Sequence, residues 1–292
     1  MPDFGIFRGF NEKLFGDKLV AGQLPTELGF IGSGDFGFDP DYKAVLDYAN
    51  ARGYALPSSY QLTLQNRLVL DLKDAGVWSK LDLFYVFATD GDSDFASINW
   101  KDPNNFECTE VNSPTFTTNE GFASNGTSSY LNTNFNLSTD GTNYSQNDAG
   151  SIFGISKFIA KSSARPYGSS GINNYLSARF DINRFWINAT TTYFNLSSFS
   201  AGDNNQILFT NRPNSLDVNG RITNLETSTT NTASRAITST PLLNENMYIL
   251  RSANTVWDNG NTSSLFALGS NLSTAEMEDV ETAYYTNYFT NL

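Results

Sequence analysis

Acid–base chemistry in this chain cannot use imidazole and turns first to carboxylates, because its 292 residues include 30 Asp and Glu but no histidine. Ser-His-Asp and Cys-His nucleophile systems, His-ligated zinc and imidazole catalysis are therefore excluded. Cys108 is the only cysteine. It has no base or basic neighbour nearby in sequence, and one cysteine cannot form an intrachain disulfide. Three motifs have spacings that could carry chemistry. Asp90, Asp92 and Asp94 in TDGDSD alternate as carboxylates converging on a hard cation would. An EF-hand loop needs Gly at its sixth position and Glu at its twelfth, where this chain has Phe95 and Lys101, so a solvated turn is expected. GSGDFG, with Gly32, Gly34 and Gly37, satisfies G-x-G-x-x-G. No β-branched strand precedes it and no βαβ unit follows, so it reads as a glycine linker, not a dinucleotide site. Glu276, Glu278, Asp279 and Glu281 crowd one helix, where they suit the helix dipole and are expected to point at water. Glycosidases need carboxylates facing each other across a sugar, and no expected strand carries two or three acids on one face. The expectation is that the chain is not an enzyme and needs no cofactor or metal.

The elements that position these residues are a short helical part and a long β part. Asp39-Pro40 is the start of a helix with Tyr42, Val45, Leu46 and Ala49 on its apolar face and Gly53 as its stop. A second helix starts at Ser58, spaced to Gln61 as a capping box, with Leu64, Leu68, Val69, Leu72 and Ala75 on one face. Val77, Trp78, Leu81, Phe84, Val86 and Phe87 read as the seam between this helical hairpin and a sandwich. From Phe106 onward short apolar alternations separated by Asn, Gly, Ser and Pro indicate antiparallel strands. Asn219-Gly220 and Asn259-Gly260 are turn dipeptides, and 226–241 reads as a surface loop or weak edge strand. Ser273 and Glu276 cap a C-terminal helix, with Leu272 and Met277 as its staple.

These elements give a mainly β fold: an antiparallel β-sandwich preceded by a short helical segment and closed by a C-terminal helix. The expected domains are 1–38, 39–94 as a helical adaptor, and 95–292 as the sandwich. Residues 1–38 are too glycine-rich for a stable helix yet too aromatic for a solvated tail. Phe7, Phe10, Leu14, Phe15, Leu19 and Leu24 in that segment suit docking to a partner or a neighbouring subunit, or packing onto their own domain, and a homo-oligomer is expected. The N-terminus lacks the pattern of a standard secretory signal. No run of about 18 apolar residues occurs, so no membrane-spanning helix is expected. The formal net charge of −12 argues against a nucleic-acid partner. Only 16% of residues are charged, and a surface solvated by amides and hydroxyls suits a sandwich exposed outside a cell or on a particle.

AGVWSKLDLFYVFA (75–88), INWKDP (98–103), VNSPTFTTNEGF (111–122), NGTSSYLNTNFNLST (125–139), NYSQNDAG (143–150) and LFALGSNLSTAEMEDVETAYYTNY (265–288) occur in that order. This series resembles bacteriophage virion appendage proteins, head or tail fibres, that carry a concanavalin A-like, laminin-G-like jelly roll. The resemblance implies a non-enzymatic fibre or decoration protein, assembled in the bacterial cytoplasm and exposed on the virion. It would be anchored to other virion proteins by its N-terminus and would display a jelly roll for host-surface glycans. A purely structural assembly protein and a carboxylate-dependent glycanase are the alternatives. Such domains bind sugar through aromatic platforms with Asn and Asp, sometimes around calcium. Trp186, Tyr193, Phe194 and Trp257 are the candidate platforms, and no glycan-binding residue is assigned.

Overall fold

The local stop and start signals of the helices hold. In the computed structural model, which describes residues 37–159, 165–169, 175–179, 184–189, 192–197, 200, 202–252, 255–257 and 259–292, Asp39 caps helix α1 (Pro40–Arg52) by accepting the Asp41 N–H, and Gly53 ends it at φ 75°. The docking residues Phe7, Phe10, Leu14, Phe15, Leu19 and Leu24 lie outside the described residues. Ser58 caps α2 (Ser59–Asp74) through the Gln61 N–H. The Gln61 side chain does not close a capping box. It accepts the Asp90 N–H at 2.9 Å and donates to Asn119 at 2.6 Å instead, tying the helix to two loops. A one-turn helix α3 (Ser93–Ala96) follows, and α4 (Thr274–Glu281) opens with a complete Ser273/Glu276 capping box.

The strands, in chain order, are β1 (Leu81–Val86), β2 (Thr109–Val111), β3 (Thr115–Thr117), β4 (Gly121–Ala123), β5 (Tyr130–Asn136), β6 (Ala149–Lys157), β7 (Tyr167–Ser169), β8 (Tyr175–Arg179), β9 (Arg184–Ala189), β10 (Phe194–Asn195), β11 (Gln206–Arg212), β12 (Asp217–Asn224), β13 (Thr229–Ala236), β14 (Asn246–Ile249), β15 (Arg251–Ser252), β16 (Thr255–Val256) and β17 (Thr262–Gly269). A large sheet runs β13-β12-β11-β6-β17-β4-β3, with β1 also paired to β17. A smaller sheet runs β2-β5-β14-β7, and β10-β9-β8 forms a third. Every pairing among the described residues is antiparallel. The expected β-sandwich with flanking helices is therefore the observed fold.

The large sheet is buried on both faces, and its continuous apolar runs follow from that. Leu208, Phe266, Leu268, Phe153 and Tyr85 enter a core shared with Leu131, Phe135, Tyr167, Met247 and Ile249 of the smaller sheet. Their neighbours Ile207, Phe209, Leu265, Ala267, Ile152 and Phe84 point the other way. There they meet Tyr42, Val45, Leu68, Leu72 and Val280 of the helices. The segment 77–87, expected as the seam between the helical hairpin and the sandwich, thus contributes β1 to the central sheet.

Two further expectations change. Asn219-Gly220 is not a turn but the middle of β12, opposite Asn211 and Thr210. Gly220 is there for close approach: a Cβ would lie 2.5 Å from the Phe194 ring. The α4 carboxylates do not all face water. Glu276 pairs with Lys80 at 2.6 Å, and Glu281 accepts a two-pronged bond from Arg221 at 2.7 and 2.9 Å. These pairs fasten the helix to the residue preceding β1 and to β12. The edge strand β13 falls within the span 226–241.

Candidate active site

Of the three aspartates in TDGDSD, two serve the backbone. Asp90 accepts the Ser58 N–H at 3.0 Å, while Asp92 caps α3 through the Phe95 N–H at 2.8 Å and accepts the Ala55 N–H at 2.7 Å. No group of three His, Cys, Asp or Glu among the described residues could hold a metal ion. Asp94, the third, is exposed and lies within electrostatic reach of acids from a different segment. Glu107 and Glu110 flank Cys108 at the entry to the edge strand β2. Burial raises the Asp94 carboxyl above the usual range, and the nearby Asp92 and Glu107 raise it further. Burial likewise raises Glu110, with Asp94 adding to the rise and a Ser93 hydrogen bond opposing it.

Glu107 is held differently. Its carboxylate accepts the Tyr48 hydroxyl at 2.7 Å and the Tyr54 hydroxyl at 2.8 Å, with Arg52 Nε at 4.0 Å. Arg52 lies 3.5 Å above the Tyr48 ring. Burial and Glu107 together push the Tyr48 phenol up to about 12, so Tyr48 acts here as a donor. One cluster thus contains two carboxyls that retain a proton to higher pH and a third fixed as a hydrogen-bond acceptor. Divided carboxyl environments of this kind separate a general acid from a stabilising carboxylate. Cys108, between the two glutamates, is buried, and its burial raises the thiol far above its usual value. It is not an activated nucleophile.

Next to the cluster is the outer face of the smaller sheet. Asn134 Nδ2 donates to the Glu107 carbonyl at 2.8 Å and to Thr109 at 3.0 Å. Because Leu131, Thr133, Phe135, Met247 and Ile249 are buried, the alternate residues Tyr130, Asn132, Asn246 and Tyr248 stand on the opposite face. The Tyr130 and Tyr248 rings meet edge to face with centroids 5.4 Å apart, and Arg251 lies 4.5 Å from the first and 5.5 Å from the second. Thr109, Asn132 and Tyr248 share one row of the register, so the face reaches Thr109, whereas Glu110, opposite Leu131, lies on the other face of the sheet. Rings and amides on one half-buried face offer the apolar surface and hydrogen bonds that a sugar uses.

The expected platforms lie elsewhere. Trp186, Phe194 and Trp257 are core residues, with at most 6% exposure. Tyr193 is half-buried beneath Arg184. The Tyr130–Tyr248 face is legible in the alternation of TSSYLNTNFN and NMYI. A groove of about 700 Å³ lies between β12, β13 and the start of α4, lined by Arg221 and Met277, and smaller ones flank α2 and α4. The arginine of the first is already paired with Glu281 and Glu278, which leaves that groove without a free acid.

No family model and no curated protein matches the chain. Among solved structures, domain 4 of AbnA, a GH43 extracellular arabinanase from Geobacillus stearothermophilus in complex with arabinotriose, is similar at 10% identity and TM-score 0.40, covering 70% of this chain and 98% of that one. Trypanosoma rangeli sialidase is similar at 11% identity and TM-score 0.44, covering 78% of this chain and 40% of that one. The enzymatically active domain of bacteriophage CBA120 tailspike protein 2 is similar at 10% identity and TM-score 0.38, covering 60% and 29%. The match thus spans well under half of the sialidase and tailspike chains. Likeness at this level assigns no activity. These neighbours are nevertheless glycoside hydrolases and a tailspike enzymatic domain, not inert appendages, and the expectation of a non-enzymatic virion structural protein is corrected accordingly. Asp94, Glu107 and Glu110 come from two segments, α3 and the β2 region, and Asp94 interacts electrostatically with each of the two glutamates.

Proposed function

We propose that the chain is carbohydrate-active and hydrolyses glycosidic bonds at the Asp94–Glu107–Glu110 cluster at the edge of the smaller sheet. The observation that carries this reading is the contrast within the cluster: burial raises the Asp94 and Glu110 carboxyls, while Glu107 is fixed by two tyrosine hydroxyls. Glu110, raised by burial and by Asp94, donates its proton to the glycosidic oxygen as the C–O bond breaks. The Glu107 carboxylate faces the positive charge developing on the sugar, water adds to that carbon, and its released proton returns to Glu110. Tyr48 and Tyr54 orient Glu107 without themselves reacting. The sequence resemblance to phage appendage proteins supports a bacterial-surface polysaccharide as the substrate class.

The test is release of reducing ends from a panel of bacterial polysaccharides by the full chain, alongside Glu107→Gln and Glu110→Gln. Each substitution is expected to lower kcat by about 10²–10⁴-fold while polysaccharide binding survives. No reducing ends from any substrate, or undiminished turnover in both glutamine variants, would refute the assignment.

A further inference from the structure

The chain is acidic overall, and its described cations are mostly paired: Lys73 with Asp39 and Asp41, Lys80 with Glu276, Lys157 with Glu120, Arg221 with Glu281. At the seam between the edge strand β13 and the β10-β9-β8 sheet this pattern breaks. Arg184 lies 4.0 Å from the centroid of the Tyr193 ring. Arg235, exposed on β13, donates to the Tyr193 carbonyl at 2.6 Å and sits 6.0 Å from the same ring. Neither has a carboxylate partner among the described residues. The Trp186 ring meets Tyr193 edge to face at 5.6 Å, and Arg165 lies 5.4 Å from Trp186. Two half-exposed or exposed guanidinium groups are thus gathered by one tyrosine on a protein of net charge −12.

We propose that this patch is a second saccharide-binding site, specific for a carboxylate-bearing sugar such as a uronic acid. A guanidinium stacked on a ring keeps its in-plane N–H fork free, and that fork matches a carboxylate in two-pronged geometry. Arg184 is placed by the stack and Arg235 by the carbonyl bond, so little side-chain freedom is lost when the anion arrives. The partly exposed Tyr193 edge supplies an apolar surface for the sugar ring. A nucleic acid fits less well. It presents one charge per about 1.7 Å of duplex axis, and the acidic remainder of this chain repels such a polyanion, whereas a uronate chain offers isolated carboxylates on apolar rings. The site is separate from the carboxylate cluster and needs no hydrolysis.

The experiment is titration calorimetry of the full chain with an oligogalacturonate, a neutral galactose oligomer of equal length and a single-stranded oligonucleotide, at low and moderate salt. Salt-weakened binding of the uronate oligomer is expected, with affinity falling at least about tenfold in R184Q/R235Q. R184K/R235K is expected to recover only part of it, because an ammonium lacks the fork. Equal affinity in wild type and R184Q/R235Q, equal affinity for the neutral oligomer, full recovery by lysine, or tighter binding of the oligonucleotide would each overturn the proposal. Arg235 is exposed, so R235Q alone keeps the test available if the double variant does not fold.

Discussion

Arg212 offers the sharpest test of how the small β10-β9-β8 sheet is held on the sandwich. The residue ends β11, is fully buried, and has no carboxylate partner among the described residues. Its guanidinium donates instead to backbone: Nε and Nη2 to the Ile187 carbonyl at 3.1 and 2.9 Å, and Nη1 to the Ile237 carbonyl at 2.8 Å. Ile187 sits where the β8–β9 register shifts, between the Tyr175–Ala189 and Ser177–Trp186 pairs. The arginine therefore supplies donors where the ladder is interrupted. Arg212→Met would strip donors from two interior carbonyls, at about 1–3 kcal/mol each. Relief of the guanidinium's own desolvation returns part of this, leaving a net loss of about 2–4 kcal/mol. With a urea slope of about 3 kcal/mol/M, the unfolding midpoint should fall by about 1 M. Arg212→Lys, with one donor group in place of a fork, should lie between. A midpoint within about 0.3 M of wild type for Arg212→Met would show that the carbonyls find other donors and that the arginine does not brace the sheet.

Two further outcomes follow from the geometry. Gly220→Ala places a methyl 2.5 and 2.7 Å from two Phe194 ring atoms and should destabilise by about 1–3 kcal/mol; urea titration checks this, and Phe194→Leu in the same chain should recover part of the loss. Asp94→Asn should stabilise the fold at neutral pH by under about 1 kcal/mol, given the exposure of the side chain. The sign follows from the raised folded-state value. Between the unfolded pKa of 3.8 and the folded one, the native state holds a proton that the unfolded chain has released, so stability falls as pH rises and the wild type is penalised above both values. The advantage of asparagine should vanish below the unfolded value, and midpoints measured across acid pH read this directly.

What could be read from the sequence was whatever is decided within a few residues. The caps at Asp39 and Ser273 are local hydrogen bonds, and the alternation after Phe106 is a property of each strand, so both survive in the structure. Asn219-Gly220 reads as a turn because the reason for its glycine, Phe194, lies in another sheet. The carboxylate cluster was hidden in the same way. Glu107 bonds tyrosines 59 and 53 positions earlier, and a rule that searches one strand for acids of like parity cannot see a group assembled across helix and sheet. The residue that joins these parts is Asp92. One of its oxygens caps the helix that begins beside Asp94, and the other holds the Ala55 N–H, next to Tyr54. A single carboxylate, spent on backbone donors, thus sets Asp94 and the tyrosine that grips Glu107 at a fixed separation. The middle aspartate of TDGDSD is therefore a positioning residue for the cluster, and the motif matters for what it holds together and not for an ion.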